Sequence, residues 1–127
     1  MAQTPQPPEH LERLRVNLEN FISKFIRTSW KTVSLSSGGS YGTLYVNTTL
    51  RLCELRYVRA FSSATAYTYY TWHTGAIPSS YRPSSQVVGS FNYGGTLYVD
   101  SEGDIGGLFT NGWSSTHNII GSVMWHY

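Results

Sequence analysis

Apolar residues near the N-terminus recur with the spacing of a coiled-coil helix. Leucine and phenylalanine occupy successive a and d positions of a heptad, at intervals of 3, 4, 3 and 4 residues, with charged residues between them. These seam positions are Leu11, Leu14, Leu18, Phe21 and Phe25. Pro8 and Glu9 suit the start of a helix. The pattern therefore predicts a helix over residues 9–27.

This helix needs a partner, because an isolated helix of about five turns is marginal in water. One alternative is a coiled coil with sister helices, in which bulky Phe21 and Phe25 favour a bundle wider than a dimer. The other is packing of a single helix on its own domain, which Ile22 and Ile26 favour because they broaden the apolar face. We favour the first and interpret the helix as a trimerisation stalk.

From Trp30 onward the pattern changes to an alternation of period two, interrupted by Gly, Ser, Asn and Pro. It predicts eight strands, at 30–35, 44–46, 50–59, 64–72, 86–91, 96–100, 104–109 and 119–125. The turn at 101–103 joins two of them in a clear hairpin, whereas the inward face of 50–59 is ambiguous. No second helical pattern follows. Residues 30–127 are therefore predicted to form an all-β, jelly-roll-like antiparallel barrel or sandwich.

Composition sets further bounds on the 127 residues, which suffice for one compact domain beside the helix. Residues 1–8, rich in Pro and Gln, predict a flexible arm. Cys53 is the single cysteine, so we expect a buried, unreactive thiol and no intramolecular disulfide. No apolar run approaches the roughly 20 residues of a membrane span, and no secretory signal is evident. We expect synthesis in a cytoplasm and no membrane insertion.

The charge pattern argues against polyanionic partners. The formal charge of +2 is spread along the chain instead of forming a basic stripe. From Ala60 onward Arg82 is the one lysine or arginine, against Asp100, Glu102 and Asp104. Nucleic acid is therefore not an expected partner.

Catalytic groups are sparse in the strand region. A glycosidase needs two carboxylates at a fixed separation, and three of the four that follow Trp30 lie within one turn. No Gly-x-Ser-x-Gly motif occurs. The histidines form no His-x-His or His-x-x-x-His pair, so a metal site within one chain is weakly supported. The alternative is a metal site on a three-fold axis, to which each of three chains contributes one histidine. We expect a non-enzymatic protein without cofactor or metal.

Two segments resemble the C-terminal head domains of phage tail-fibre and baseplate receptor-binding proteins, especially those of phages that infect Gram-positive bacteria. Residues 75–84 (GAIPSSYRPS) are similar to an LP-x-x-Y-R-P corner, and residues 96–105 (TLYVDSEGDI) to a hairpin of I-x-I-D-x-x-G-x-I type. These heads open with a Trp and a short strand, as 30–35 does, and close with a Trp-bearing region, where Trp113 and Trp125 lie.

The resemblance implies a homotrimeric β-barrel head on a helical stalk, which binds host cell-wall polysaccharide or teichoic acid during adsorption. The protein would then be a virion component of the tail or baseplate tip, made in the host cytoplasm. Its arm at 1–8 would attach to a neighbouring virion protein. One alternative is kept: a structural particle protein, such as a head fibre, decoration or tail-assembly trimer, with the same fold and no glycan ligand.

Saccharide sites combine aromatic rings with polar side chains that bind hydroxyl groups. Such residues lie in turns or at predicted strand ends, and any one of them can instead be structural. The candidates are Trp72, His73, Arg82, Tyr98, Asp100, Phe109, Trp113 and His117. The run 98–117 is favoured, because it supplies Tyr, Asp, Phe, Trp and His together.

Some lactococcal-phage heads carry a His-x-Asp pair, then a Trp and an Arg, in the sugar site. Here Tyr98 and Asp100 stand at the pair, Phe109 is the aromatic nine residues on, and no Arg follows Arg82. Arg82 precedes Pro83, which holds it in an extended backbone. It is either a ligand clamp or, as we favour, a guanidinium that locks the corner by binding loop carbonyls.

Overall fold

The computed structural model describes the backbone of residues 8–127 and the side chains of 9–24 and 30–127. The helix α1 runs over Pro8–Ser29, slightly beyond the predicted bounds. Pro8 is therefore the first helical residue, while the rest of the predicted arm at 1–8 lies outside the described residues. The side chain of Phe25 lies outside them as well.

The part of the α1 seam whose side chains are described, residues 11–21, is not covered by the strand domain. All side chains described between residues 9 and 24 are exposed, and the four seam residues among them are 54–66% exposed: Leu11, Leu14, Leu18 and Phe21. Arg15 bridges Glu12 and Glu19 along the helix surface. Over residues 9–24 the helix therefore does not pack on the strand domain, while the side chain of Ile26, on which that alternative also depended, lies outside the described residues.

Eight strands follow α1, one for each strand that the alternation predicts. Their bounds are β1 Trp30–Val33, β2 Gly42–Asn47, β3 Leu52–Phe61, β4 Tyr69–His73, β5 Val87–Phe91, β6 Gly95–Val99, β7 Ile105–Leu108 and β8 His117–His126. Single turns of 3-10 helix occupy Ser79–Tyr81 and Asn92–Gly94. The strand β1 begins directly where α1 ends.

The strands form one antiparallel sheet in the order β1-β2-β3-β8-β5-β6-β7-β4. The sheet curls into a half-barrel, so that β4, its last strand, comes back over β3. The prediction of an antiparallel β domain behind a helix is confirmed in this form, with β1 and β4 as the two edges.

The core lies on the concave face of the curled sheet. In β3, Leu55 and Tyr57 are completely buried while Arg56 and Val58 are exposed, which settles the inward face that the sequence left open. The inward residues share apolar character and near-complete burial: Leu44, Val46, Cys53, Leu55, Tyr57, Ala76, Ile77, Phe91, Leu97, Val99, Ile105, Phe109, Ile119, Val123 and Trp125.

Candidate functional site

A cleft of about 200 Å³ opens between the end of β3 and the edge strand β4. Its lining combines aromatic rings with small and hydroxyl side chains: Phe61, Ser63, Ala64, Thr65, Tyr70, Trp72 and Phe109. Clefts that enclose drug-sized ligands measure roughly 300–1,000 Å³. This one is therefore suited to a single ring of a larger ligand.

The ring of Trp72 forms the centre of the aromatic lining. It stacks on Tyr57 with 5.4 Å between ring centroids and 12° between ring planes, and its centroid lies 5.0 Å from that of Phe61. On the adjoining strand Gly107 leaves room for the indole, since a Cβ there would lie 2.3 Å from a ring carbon. The curl of the sheet and this glycine together fix the position of Trp72.

Trp113 supports the segment that follows β3. Its backbone exchanges two hydrogen bonds with Ala64, of 2.9 and 3.1 Å, and its indole Nε1 donates to the Phe61 carbonyl at 3.2 Å. Its ring meets Phe109 edge-on at 4.9 Å and lies at the same distance from the ring of His117. Trp113 therefore holds one wall of the cleft, with His117 beside it.

Arg59 places a cation next to the cleft. Its guanidinium lies over the rings of Tyr41 and Phe61, at 4.6 and 4.9 Å, and reaches the Tyr57 hydroxyl at a long 3.5 Å. By contrast, Arg51 and Arg82 donate to backbone carbonyls and Arg56 to Glu54. Within the described part of the chain, no carboxylate pairs with Arg59.

His73 belongs to a buried polar contact instead of the cleft lining. Its Nε2 lies 2.8 Å from the Tyr57 hydroxyl, and its ring stacks on Tyr41 at 5.7 Å. Burial lowers the pKa of His73, and the charge of Arg59 lowers it further. His73 is therefore neutral around pH 7 and holds β4 against β3.

Three other predicted ligands lie away from the cleft and have structural contacts. The Tyr98 ring is buried on the opposite face of the sheet, where its hydroxyl bonds Thr71 and the Tyr70 carbonyl. Asp100 Oδ1 accepts the N–H groups of residues 102 and 104 and so closes the β6–β7 turn. Arg82 Nε donates to the Ile77 carbonyl at 2.8 Å, the contact expected of a corner lock.

The structure thus brings together Trp72, Phe109, Trp113 and His117, and leaves the other four candidates elsewhere. Phe61 and Tyr70 of the cleft lining, and Arg59 beside it, were not among the predicted site residues. Arg59 and Phe61 continue the inward alternation of Cys53, Leu55 and Tyr57 along β3. That alternation would have identified them, had the inward face of β3 been clear from the sequence.

No protein-family model matches the chain, and no curated protein matches its sequence. Among the residues that the structure describes, no three His, Cys, Asp or Glu side chains converge as a metal site would require. Among the described residues, no helix is both long enough and apolar enough to cross a membrane.

Proposed function

We propose that the aromatic cleft binds one sugar ring of a host-surface glycan, and that the chain is the head of a phage receptor-binding protein. The observation that carries this proposal is the lining of the cleft. The rings of Phe61 and Trp72 offer apolar faces to a pyranose, while hydroxyls of Ser63, Thr65 and Tyr70 are available for sugar hydroxyl groups.

Binding without hydrolysis fits the same lining. None of the residues described around the cleft is a carboxylate, whereas a glycosidase needs two of them across the scissile bond. Arg59 beside Phe61 adds a cation that suits an anionic substituent, such as the phosphate of a teichoic acid. Cell-wall polysaccharide and teichoic acid are therefore the proposed ligands.

A homotrimer is the proposed assembly. The exposed seam of α1 provides the a and d positions of a parallel coiled coil, and α1 continues into β1 without a linker. A three-helix stalk would therefore present three half-barrel heads side by side. In this arrangement the N-terminal arm reaches a neighbouring virion protein, at the tail or baseplate tip.

A glycan array probed with the purified protein tests the ligand class. Cell-wall polysaccharides and teichoic acids of Gram-positive bacteria are expected to bind. Thr65→Tyr, which adds a ring at the cleft, should abolish binding. Ser101→Tyr adds the same ring to an exposed position in the β6–β7 turn and should bind like the wild type. Retention of any glycan by wild type and Thr65→Tyr alike would contradict the cleft as the site.

A structural particle protein is the second candidate, and the convex face of the sheet favours it. Apolar side chains that are 50–61% exposed lie on β3, β5 and β8: Val58, Val88, Ile120 and Met124. Val58 and Ile120 line an open groove of about 610 Å³. Exposed apolar patches mark protein contacts. This role would be favoured if no glycan on the array bound the protein and if the purified trimer bound to phage particles.

A further inference from the structure

The seam between β3 and β4 is closed by side chains. These strands are third and eighth in the sheet, so they are not neighbours in its ladder. β4 pairs with β7 alone, and its register shifts between Thr71 and His73. An edge strand that is paired on one side is among the segments of a protein that open most easily. The contacts across the seam therefore decide whether β4 stays in place.

His73 is the polar centre of that seam, and the residue is 8% exposed. On the side of β3, the Nε2 atom of His73 lies 2.8 Å from the Tyr57 hydroxyl. The guanidinium of Arg59 contacts the same hydroxyl. On the side of the loop before β2, the His73 ring stacks on the Tyr41 ring. The His73 ring also occupies the space that a side chain at Gly38 would fill.

On its other side His73 pairs with Ile105 of β7. The carboxylate of Asp104, which precedes Ile105, accepts the Gly75 N–H at 2.7 Å. No hydrogen bond or ion pair joins His73 to a carboxylate among the residues described. A charge on the imidazole would thus have no anionic partner.

Protonation changes what this contact can do. The neutral Nε2 can accept a hydrogen bond from the Tyr57 hydroxyl, whereas a charged imidazole can only donate one. The Tyr57 oxygen would then face two cations, His73 and Arg59, in a buried place. Burial also raises the pKa of Tyr57, so the phenol stays protonated and cannot neutralise either of them.

We propose that the β3–β4 seam is an acid-operated latch, in which protonation of His73 releases β4 and withdraws Trp72 from the cleft. Opening is local, because β7 keeps its ladder with β6, and the ladders that join β1, β2, β3, β8, β5 and β6 do not involve β4. Release of β4 separates Trp72 from Tyr57 and Phe61, and so dismantles the aromatic lining. The opening itself does not depend on a ligand, whereas its effect on glycan binding rests on the proposed function.

The direction of the pH effect follows from the lowered pKa of His73. A base whose pKa is lower in the closed state than in the open state disfavours the closed state once it is protonated. The free-energy penalty on the closed state begins as pH falls through the ordinary histidine pKa of about 6.5. This penalty reaches its full size below the pKa that His73 has in the closed state. The latch is therefore shut at pH 8 and opens under acid conditions.

The test is a pH series of NMR spectra on the full chain, from pH 8 to pH 5. Cross-relaxation between the ring protons of Tyr57 and Trp72 is expected to disappear with the same midpoint as the titration of His73. Cross-relaxation between Tyr81 and Tyr127, whose rings lie 5.2 Å apart near the C-terminus, should persist. An unchanged Tyr57–Trp72 signal down to pH 5 would overturn the proposal, whether or not His73 has titrated by then.

His73→Gln provides the decisive variant, because glutamine can bond the Tyr57 hydroxyl without titrating. The variant should keep the Tyr57–Trp72 signal at pH 5, and the control His126→Gln, at an exposed position of β8, should open like the wild type. Opening of His73→Gln with an unchanged midpoint would refute the latch. If His73→Gln does not fold, Arg59→Gln serves instead. Removal of that charge raises the pKa of His73 in the closed state and so weakens the effect of protonation on the seam. Opening should then require a lower pH than in the wild type, and an unchanged midpoint of opening would count against the proposal.

Glycan binding is measured over the same pH range as a separate readout. A loss of binding that follows the Tyr57–Trp72 signal supports both the latch and the cleft. Binding that persists while the signal is lost would refute the regulation of the cleft by the latch. If no glycan binds at any pH, the proposed function fails, while the NMR series still decides whether the latch exists.

Discussion

Tyr57 on β3 stacks on Trp72 on β4, although these strands are third and eighth in the sheet. The contact shows how the curled sheet is closed. Stacked aromatic rings hold β3 and β4 together, whereas backbone hydrogen bonds join the other neighbouring strands. The Trp72 ring also lines the candidate cleft, and the Tyr57 ring supports it from behind. Closure of the domain and the formation of a ligand site therefore depend on one cluster of side chains.

Gly107→Ala should destabilise the domain, because its Cβ would lie 2.3 Å from the Trp72 ring and 3.0 Å from the Thr96 carbonyl oxygen. Overpacking of this kind costs about 1–3 kcal/mol of unfolding free energy. Urea unfolding followed by fluorescence measures the loss. Gly39→Ala is the matched control, since nothing lies within 4 Å of its added methyl group. Equal stability of the two variants would mean that Trp72 is not packed on β7.

Leu18→Asp should dissociate the assembly, since three carboxylates would meet at the axis of the stalk without partners. Light scattering is expected to give three times the chain mass for the wild type and a smaller mass for the variant. Val16→Asp changes a residue of the same helix off the seam and should remain a trimer. A monomeric wild type, or an unchanged Leu18→Asp assembly, would contradict the stalk.

The strands and the helix were readable from the sequence, because the heptad and the period-two alternation each reflect one local geometry. The closure of the sheet was not. It depends on Tyr57 meeting Trp72, two residues that no local pattern relates. The role of Asp100 also escaped the sequence analysis, since an aspartate that closes its own turn and one that binds a sugar look alike in a sequence.

Asp100→Ala should lower stability without changing glycan binding. The carboxylate accepts two backbone N–H groups in the β6–β7 turn, and a hydrogen bond to a charged group contributes about 1.5–3 kcal/mol. Thermal melts are expected to show a clear destabilisation. Wild-type stability combined with weakened glycan binding would restore Asp100 as a ligand residue.

Cys53 should resist alkylation in the folded protein. Its side chain is completely buried, and burial raises the pKa of the thiol to about 12, so very little reactive thiolate exists at pH 8. Iodoacetamide labelling followed by mass spectrometry is expected to modify the thiol only after unfolding in urea. Rapid labelling of the native protein would indicate that β3 opens.

The most direct test of the cleft uses the indole N–H signals of the four tryptophans as reporters during a titration with host cell-wall polysaccharide. Trp72 lines the cleft and Trp113 supports its wall, while Trp125 donates to the Tyr81 carbonyl and Trp30 begins β1. Saccharide in the cleft should shift the signals of Trp72 and Trp113 and leave those of Trp30 and Trp125 unchanged. Binding that shifts Trp30 or Trp125 but neither Trp72 nor Trp113 would contradict this account.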